Sequence, residues 1–202
     1  MARYASSSQV SYVGVKYIGL LFTILLVGLE ISALNHDTHY RYDILMCLIL
    51  LAGVYYLKEI FSLHWLHYFM FAVFILVHCL GLYGYYDLFP LGLEYDYWVH
   101  GYFGLVSCLM LMRGISNSRF QFSWAIRVIC SLIIVLGISS AHELYEFAGA
   151  VILGEGDGVL FIGAGDLDPW DTQKDMLNNL LGAIVGIVLI ALTRLVSFLA
   201  IK

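Results

Sequence analysis

The sequence predicts an all-α, polytopic transmembrane helix bundle of about six helices, with both termini in the cytoplasm. Of its 202 residues, 61% are hydrophobic and only 12% are charged, and the mean hydropathy is +0.86. Soluble domains carry about 25% charged residues, so lipid must solvate much of this surface. The other two observations are six apolar stretches of membrane-crossing length and an asymmetric distribution of Lys and Arg.

Each predicted span holds about 20 mostly apolar residues, as crossing the hydrocarbon layer requires. The first is too long for a signal peptide and predicts a retained helix. Short turns before the second, third and fifth spans predict antiparallel neighbours within one integral membrane domain, residues 1–202. The fifth and sixth are long enough to tilt, and the sixth opens on a capping Asp-Pro pair. The spans are approximately 13–34, 42–61, 64–86, 95–113, 123–152 and 169–200.

Charged residues predict the orientation of the bundle. With a cytoplasmic N-terminus, Arg41 and Lys174 are the only ones of the 10 Lys and Arg residues that lie outside, as the positive-inside rule favours. All of the 15 acidic residues except Glu59 then lie in outer loops or outer halves of helices. This skew predicts an outward-facing polar site, with solvated acidic loops as the alternative. The net charge of -5 and the lack of a basic run argue against nucleic acid as a partner.

Ionisable and amide side chains recur at the outer ends of four consecutive predicted helices, where antiparallel packing brings them together. Such groups at membrane depth cost several kcal/mol and usually face the protein interior with a partner. Several are four residues apart and therefore share a helix face. The candidates are His78 on the third span, Asp96 and His100 on the fourth, His142, Glu143 and Glu146 on the fifth, and Asp171, Asp175 and Asn179 on the sixth.

Carboxylates and imidazoles that project from facing helices are typical of metal sites in helix bundles. A divalent metal would relieve the repulsion between these acids, and protonation of some of them is the alternative. Mixed ligation suits zinc, manganese or iron, and no nucleotide cofactor is expected. The predicted metal ligands are His78, Asp96, His100, His142, Asp171 and Asp175.

Three functions compete at this stage. The first is a metal-dependent hydrolase acting on a lipid-linked or cell-envelope substrate, in which metal-bound water is activated by Glu143 or Glu146, with Asp175 as a third catalytic residue. Its predicted substrate-binding residues are Asn179, Lys174 and Trp170. A proton- or ion-coupled transporter is the second, although no inverted repeat is evident. The third is a non-catalytic protein that binds an envelope component, and membrane lipid is a partner in each case.

Four motifs in order resemble the YjdF-type family of uncharacterised bacterial inner-membrane proteins, a domain of unknown function. They occupy residues 78–87, 95–101, 142–146 and 170–176, and the resemblance covers roughly residues 64–190. It implies a location in the bacterial cytoplasmic membrane and supplies no established reaction. A more distant likeness is to VanZ-like proteins of glycopeptide resistance, whose Asp…His, Glu and Asp…Asn…Gly motifs correspond to Asp96 and His100, to Glu143 or Glu146, and to Asp175, Asn179 and Gly182.

Overall fold

Six helices account for nearly all of the computed structural model, which describes residues 2–36, 40–81, 83–153 and 170–199. The all-α prediction is confirmed, and no strand occurs within these ranges. Two short 3-10 turns, Tyr85–Asp87 and Pro90–Gly92, lie between the third and fourth helices. The helices are α1 (Ala2–His36), α2 (Tyr40–Tyr56), α3 (Trp65–Gly81), α4 (Tyr95–Asn117), α5 (Trp124–Leu153) and α6 (Asp171–Leu199).

Four of the described helices contain a segment that is long and apolar enough to cross a membrane, namely Tyr12–Asn35, Tyr95–Asn117, Trp124–Ala148 and Asp171–Val196. Helices α2 and α3 have 17 residues each, or about 25 Å by the rise per residue. Both are shorter than predicted, since α2 gives way to turns after Tyr56 and α3 ends at Gly81. Ser62 and Gly84 adopt left-handed conformations in the turns that follow these two helices.

Helix α4 lies at the centre of the bundle. Its apolar segment is 56% buried, against 17–22% for the other three membrane-length segments. One core cluster joins α4 to α1, α2 and α3 through Val106 and Met110, and a second joins it to α5 and α6 through Cys108 and Leu111. The remaining helices carry many exposed Leu, Ile and Val side chains, a surface that soluble monomers rarely present and that lipid would cover.

The tightest helix pair is α4 with α6, and glycine makes it possible. A Cβ added at Gly104 would overlap the backbone of Asn179, and one at Gly182 would overlap the carbonyl of Gly101. Gly186 lies one turn beyond Gly182, and a Cβ added there would be 3.3 Å from the carbonyl oxygen of Leu105. Small residues four apart allow such close backbone contact between membrane helices. This glycine seam brings the N-terminal turns of α4 and α6 together.

Candidate functional site

The imidazole of His100 lies between carboxylates from two helices. Its Nε2 is 3.5 Å from Asp96 Oδ1, one turn earlier on α4, and 3.6 Å from Asp175 Oδ2 on α6. One potential ligand atom from each of the three residues lies within 4.8 Å of the other two. The glycine seam explains the arrangement, because these residues occupy the turns that precede its close contacts. We call Asp96, His100 and Asp175 the acidic triad.

Asn179 supports the triad from α6. Its amide Nδ2 donates a hydrogen bond to Ser139 Oγ at 2.6 Å and lies 3.1 Å from Nδ1 of His100. Two buried acceptors, Asn179 Oδ1 and Asp175 Oδ1, receive no hydrogen bond from the described residues. A buried acceptor without a donor costs about 1–3 kcal/mol, so the triad suits a ligand that takes lone pairs, such as a cation or a proton.

His78, at the end of α3, is held by Tyr86. The Tyr86 hydroxyl lies 2.8 Å from His78 Nδ1, and burial raises the pKa of this phenol well above its ordinary value, so it stays protonated. Two glycines allow the contact, since a Cβ at Gly81 would collide with the Tyr86 ring and Gly84 has a φ of +89° before the turn. The His78 Nε2 is buried and has no partner in the described part of the chain.

Helix α5 adds a second imidazole–carboxylate pair. His142 Nε2 lies 3.3 Å from Glu146 Oε1, one turn later on the same helix. The His142 ring is 6.1 Å from the His100 ring, centre to centre. His142 is therefore a neighbour of the triad and not part of it.

These groups line one cavity of about 700 Å³. Among the described residues its wall contains no Lys or Arg, so the basic side chains of this wall are imidazoles. The acids of the wall cannot all remain ionised without a cation or bound protons. The carboxyl groups of the wall are those of Asp87, Glu94, Asp96, Glu146, Asp171 and Asp175, and the imidazoles are those of His78, His100 and His142.

All six predicted metal ligands line this cavity, and three of them form the triad. Glu146 and Asn179 also line it, whereas Lys174 and Trp170 do not, and Trp170 is 64% exposed. Glu143 also lies outside the wall, buried with its side chain against Thr172 of α6. It follows His142 directly, and consecutive helical residues point about 100° apart.

Sequence reasoning missed Ser139 and Tyr86 as partners in the site. Ser139 lies three residues before His142 and seven before Glu146, so the helical period places all three on one face of α5. That spacing could have identified it. Tyr86 carries no such signal, because its position depends on the turn after α3.

A family model described as "Predicted membrane protein (DUF2238)" matches residues 15–195, a range that includes every residue of the cavity wall. The inner membrane protein YjdF of Escherichia coli (strain K12) is 33% identical over 117 residues, 50% of this chain and 53% of that protein. The chain thus spans about half the length of this curated relative. No solved structure matches the chain.

Proposed function

The chain belongs to the DUF2238 family of predicted membrane proteins, and we propose that it is a metal-dependent hydrolase acting at the membrane on a lipid-linked or cell-envelope substrate. The observation that carries this proposal is the acidic triad, whose ligand atoms lie within 4.8 Å of one another in a cavity wall with no described Lys or Arg. Hydrolytic metal sites commonly have three protein ligands and one position open to water.

The donor set of the triad suits the metals named from the sequence. One imidazole and two carboxylates form a mixed nitrogen and oxygen set, which favours zinc, manganese or iron over calcium or magnesium. When bound, such a metal supplies an activated water at neutral pH. Asp96, His100 and Asp175 would hold it, and Asp175 Oδ1, a buried acceptor without a donor among the described residues, fits that role.

Glu146 is the better general base of the two glutamates named from the sequence. A base must lie within hydrogen-bond reach of the proton that it takes, directly or through one water. Glu146 lines the cavity beside His142, whereas Glu143 is buried against Thr172. We therefore assign proton transfer to Glu146 and a packing role between α5 and α6 to Glu143.

The cavity is proposed to open toward the outer face of a bacterial cytoplasmic membrane. The Lys and Arg bias of the loops supports this orientation, and the curated relative is described as an inner membrane protein. An outward opening would give the site access to envelope substrates.

A proton-coupled carrier is the second candidate, favoured by one observation. As its amide is oriented, Asn179 donates toward His100 Nδ1, which leaves the proton of a neutral His100 on Nε2, between two carboxylates. Proton relays use such clusters. Against this role, the opposite end of the cavity is lined by Leu57, Phe61 and Leu111, which offer protons no onward path.

Metal content tests the proposal directly. We expect close to one equivalent of zinc, manganese or iron in protein purified without added chelator, and about tenfold less in a His100→Ala/Asp175→Ala variant, because it loses two of three ligands. Elemental mass spectrometry on detergent-purified protein measures this. His67→Ala is the matched control. His67 is a partly buried histidine near the start of α3, whereas His78 and the cavity's polar groups lie near its end.

Metal that is absent from wild-type protein, or equally abundant in the double variant, would contradict the hydrolase. Far-ultraviolet circular dichroism of each variant shows whether the helices are intact. A metal-free protein with intact helices would favour the proton-coupled role.

A further inference from the structure

The cavity extends well beyond the polar cluster into the bundle. On α4 its wall runs from Asp96 to Leu111, 15 residues or about 22 Å by the rise per residue. Half of a bilayer core is about 15 Å, so the cavity is deeper than one leaflet. We call its inner part the apolar arm, whose wall includes Val54, Leu57, Phe61, Phe103, Met110 and Leu111.

The arm differs sharply from the polar end in chemistry. Ser107 is the one hydroxyl that α4 contributes to the wall between His100 and Leu111. The residues that α2 and α3 contribute at this depth are aliphatic or aromatic. A hydrated group would lose its water there without new hydrogen bonds, at a cost of several kcal/mol. A hydrocarbon gains from the same burial.

The dimensions of the cavity limit the shape of its occupant. The cavity is long for its volume, about 700 Å³ over roughly 22 Å. An extended alkyl chain has this shape, and its atoms would contact the apolar wall at about 4 Å.

The polar end limits the head group. In the described wall the carboxyl groups of Asp96, Glu146 and Asp175 have imidazoles as their basic neighbours, so a bound divalent cation would offset two of their three charges. An anionic phosphate would be repelled unless every acid nearby were neutralised. A neutral ester or amide carbonyl avoids this repulsion.

We propose that the apolar arm holds the hydrocarbon chain of a neutral acyl ester or amide, whose carbonyl lies at the acidic triad. This inference rests on the proposed hydrolase and names its substrate class. For an ester, the oxygen of one water bonds to the acyl carbon and the bond from that carbon to the alkoxy oxygen breaks. One water proton passes through Glu146 to the departing alcohol, and a fatty acid is the other product.

Photolabelling tests the chain without requiring turnover. The probe is a monoacylglycerol with a diazirine at the end of its chain, added to the full-length protein in nanodiscs. We expect mass spectrometry to locate the label at the far end of the arm, on peptides containing Leu57, Phe61 or Leu111. Labels confined to outward-facing residues, such as Ile133 at 64% exposure, would overturn the proposal.

Two variants of α2 provide the matched comparison. Val54→Trp fills the arm, whereas Ile49→Trp adds the same ring to a side chain that is 56% exposed on the same helix. We expect Val54→Trp to lower labelling in the arm by about tenfold, because the indole ring takes the space of the chain. Ile49→Trp should leave the labelling unchanged. Equal labelling of both variants would contradict an occupied arm.

The head group has its own comparison, a lysophosphatidate probe with the same chain. We expect it to label the arm several-fold less than the monoacylglycerol, because its phosphate meets the acids. Equal labelling would overturn the neutral head group. Metal content, measured on the same samples, separates the two proposals: labelling of the arm without metal refutes the hydrolase alone, and metal without labelling refutes the chain alone.

Discussion

Replacing Gly104 or Gly182 by alanine is expected to destabilise the protein by at least about 3 kcal/mol, more than a hundredfold in the folding equilibrium constant. The new methyl group at either position would overlap the backbone of the facing helix. Backbone atoms cannot rotate away as a side chain does, so α4 and α6 would have to separate. Separation would remove the packing on which association of membrane helices depends.

Equilibrium unfolding in mixed SDS and dodecylmaltoside micelles measures this effect. Gly137→Ala on α5 is the matched control, because a Cβ at Gly137 would meet nothing within 4 Å. Alanine is the better helix former by about 1 kcal/mol, so the control should be neutral or more stable. A seam variant that matched the control would show that α4 and α6 are not in backbone contact at Gly104 and Gly182.

The sequence predicts the helices and where their polar ends meet, but not the close contact between α4 and α6. Hydropathy and length predicted six helices, and antiparallel order predicted that Asp96, His100 and Asp175 converge at one end. Both follow from rules that apply along the whole chain. The close contact at Gly104 and Gly182 depends on how two helices rotate about their axes, which six soft-edged spans do not specify.

Local conformation accounts for the other differences. The predicted span 64–86 treated Tyr86 as part of a helix end, but α3 ends at Gly81, and the missing side chain there leaves room for the Tyr86 ring beside His78. Glu143 and Glu146 both lie near the end of the same predicted span, so the sequence does not distinguish them as bases. In the structure Glu146 faces the cavity and Glu143 faces α6.

The apolar arm was beyond prediction for a different reason. It consists of space left between α2, α3, α4 and α5, and no single stretch of sequence encodes a space. Leu57 and Leu111 look like ordinary core or lipid-facing residues in their own helices. Only their joint placement in one wall distinguishes them.

Asn179 is expected to control metal binding by choosing which nitrogen of His100 carries the proton. In the described orientation its Nδ2 faces His100 Nδ1, which puts the imidazole proton on Nε2, the atom between the carboxylates. A metal at the triad needs the lone pair of that same Nε2. Rotating the amide by half a turn turns its oxygen to Nδ1, which can then carry the proton, and Ser139 can donate to the same oxygen.

Two substitutions therefore have different consequences. Asn179→Asp keeps an acceptor facing Nδ1, as in the carboxylate–histidine–metal arrangements of many sites, and should bind metal as tightly as wild type or more tightly. Asn179→Leu removes the acceptor at similar volume and should weaken metal binding by about 10- to 100-fold. Competition with a chromophoric chelator measures both dissociation constants in detergent.

Which of the two variants binds metal more tightly distinguishes a metal-binding triad from a proton-transferring one. Because Asn179 is 1% exposed, both substitutions strain the same buried position, and a merely structural role would weaken them alike or penalise the added charge of Asp more. Metal affinity that falls more in Asn179→Asp than in Asn179→Leu would contradict a metal on His100 Nε2. It would favour the orientation in which Nε2 keeps its proton between Asp96 and Asp175, as a proton-coupled site requires.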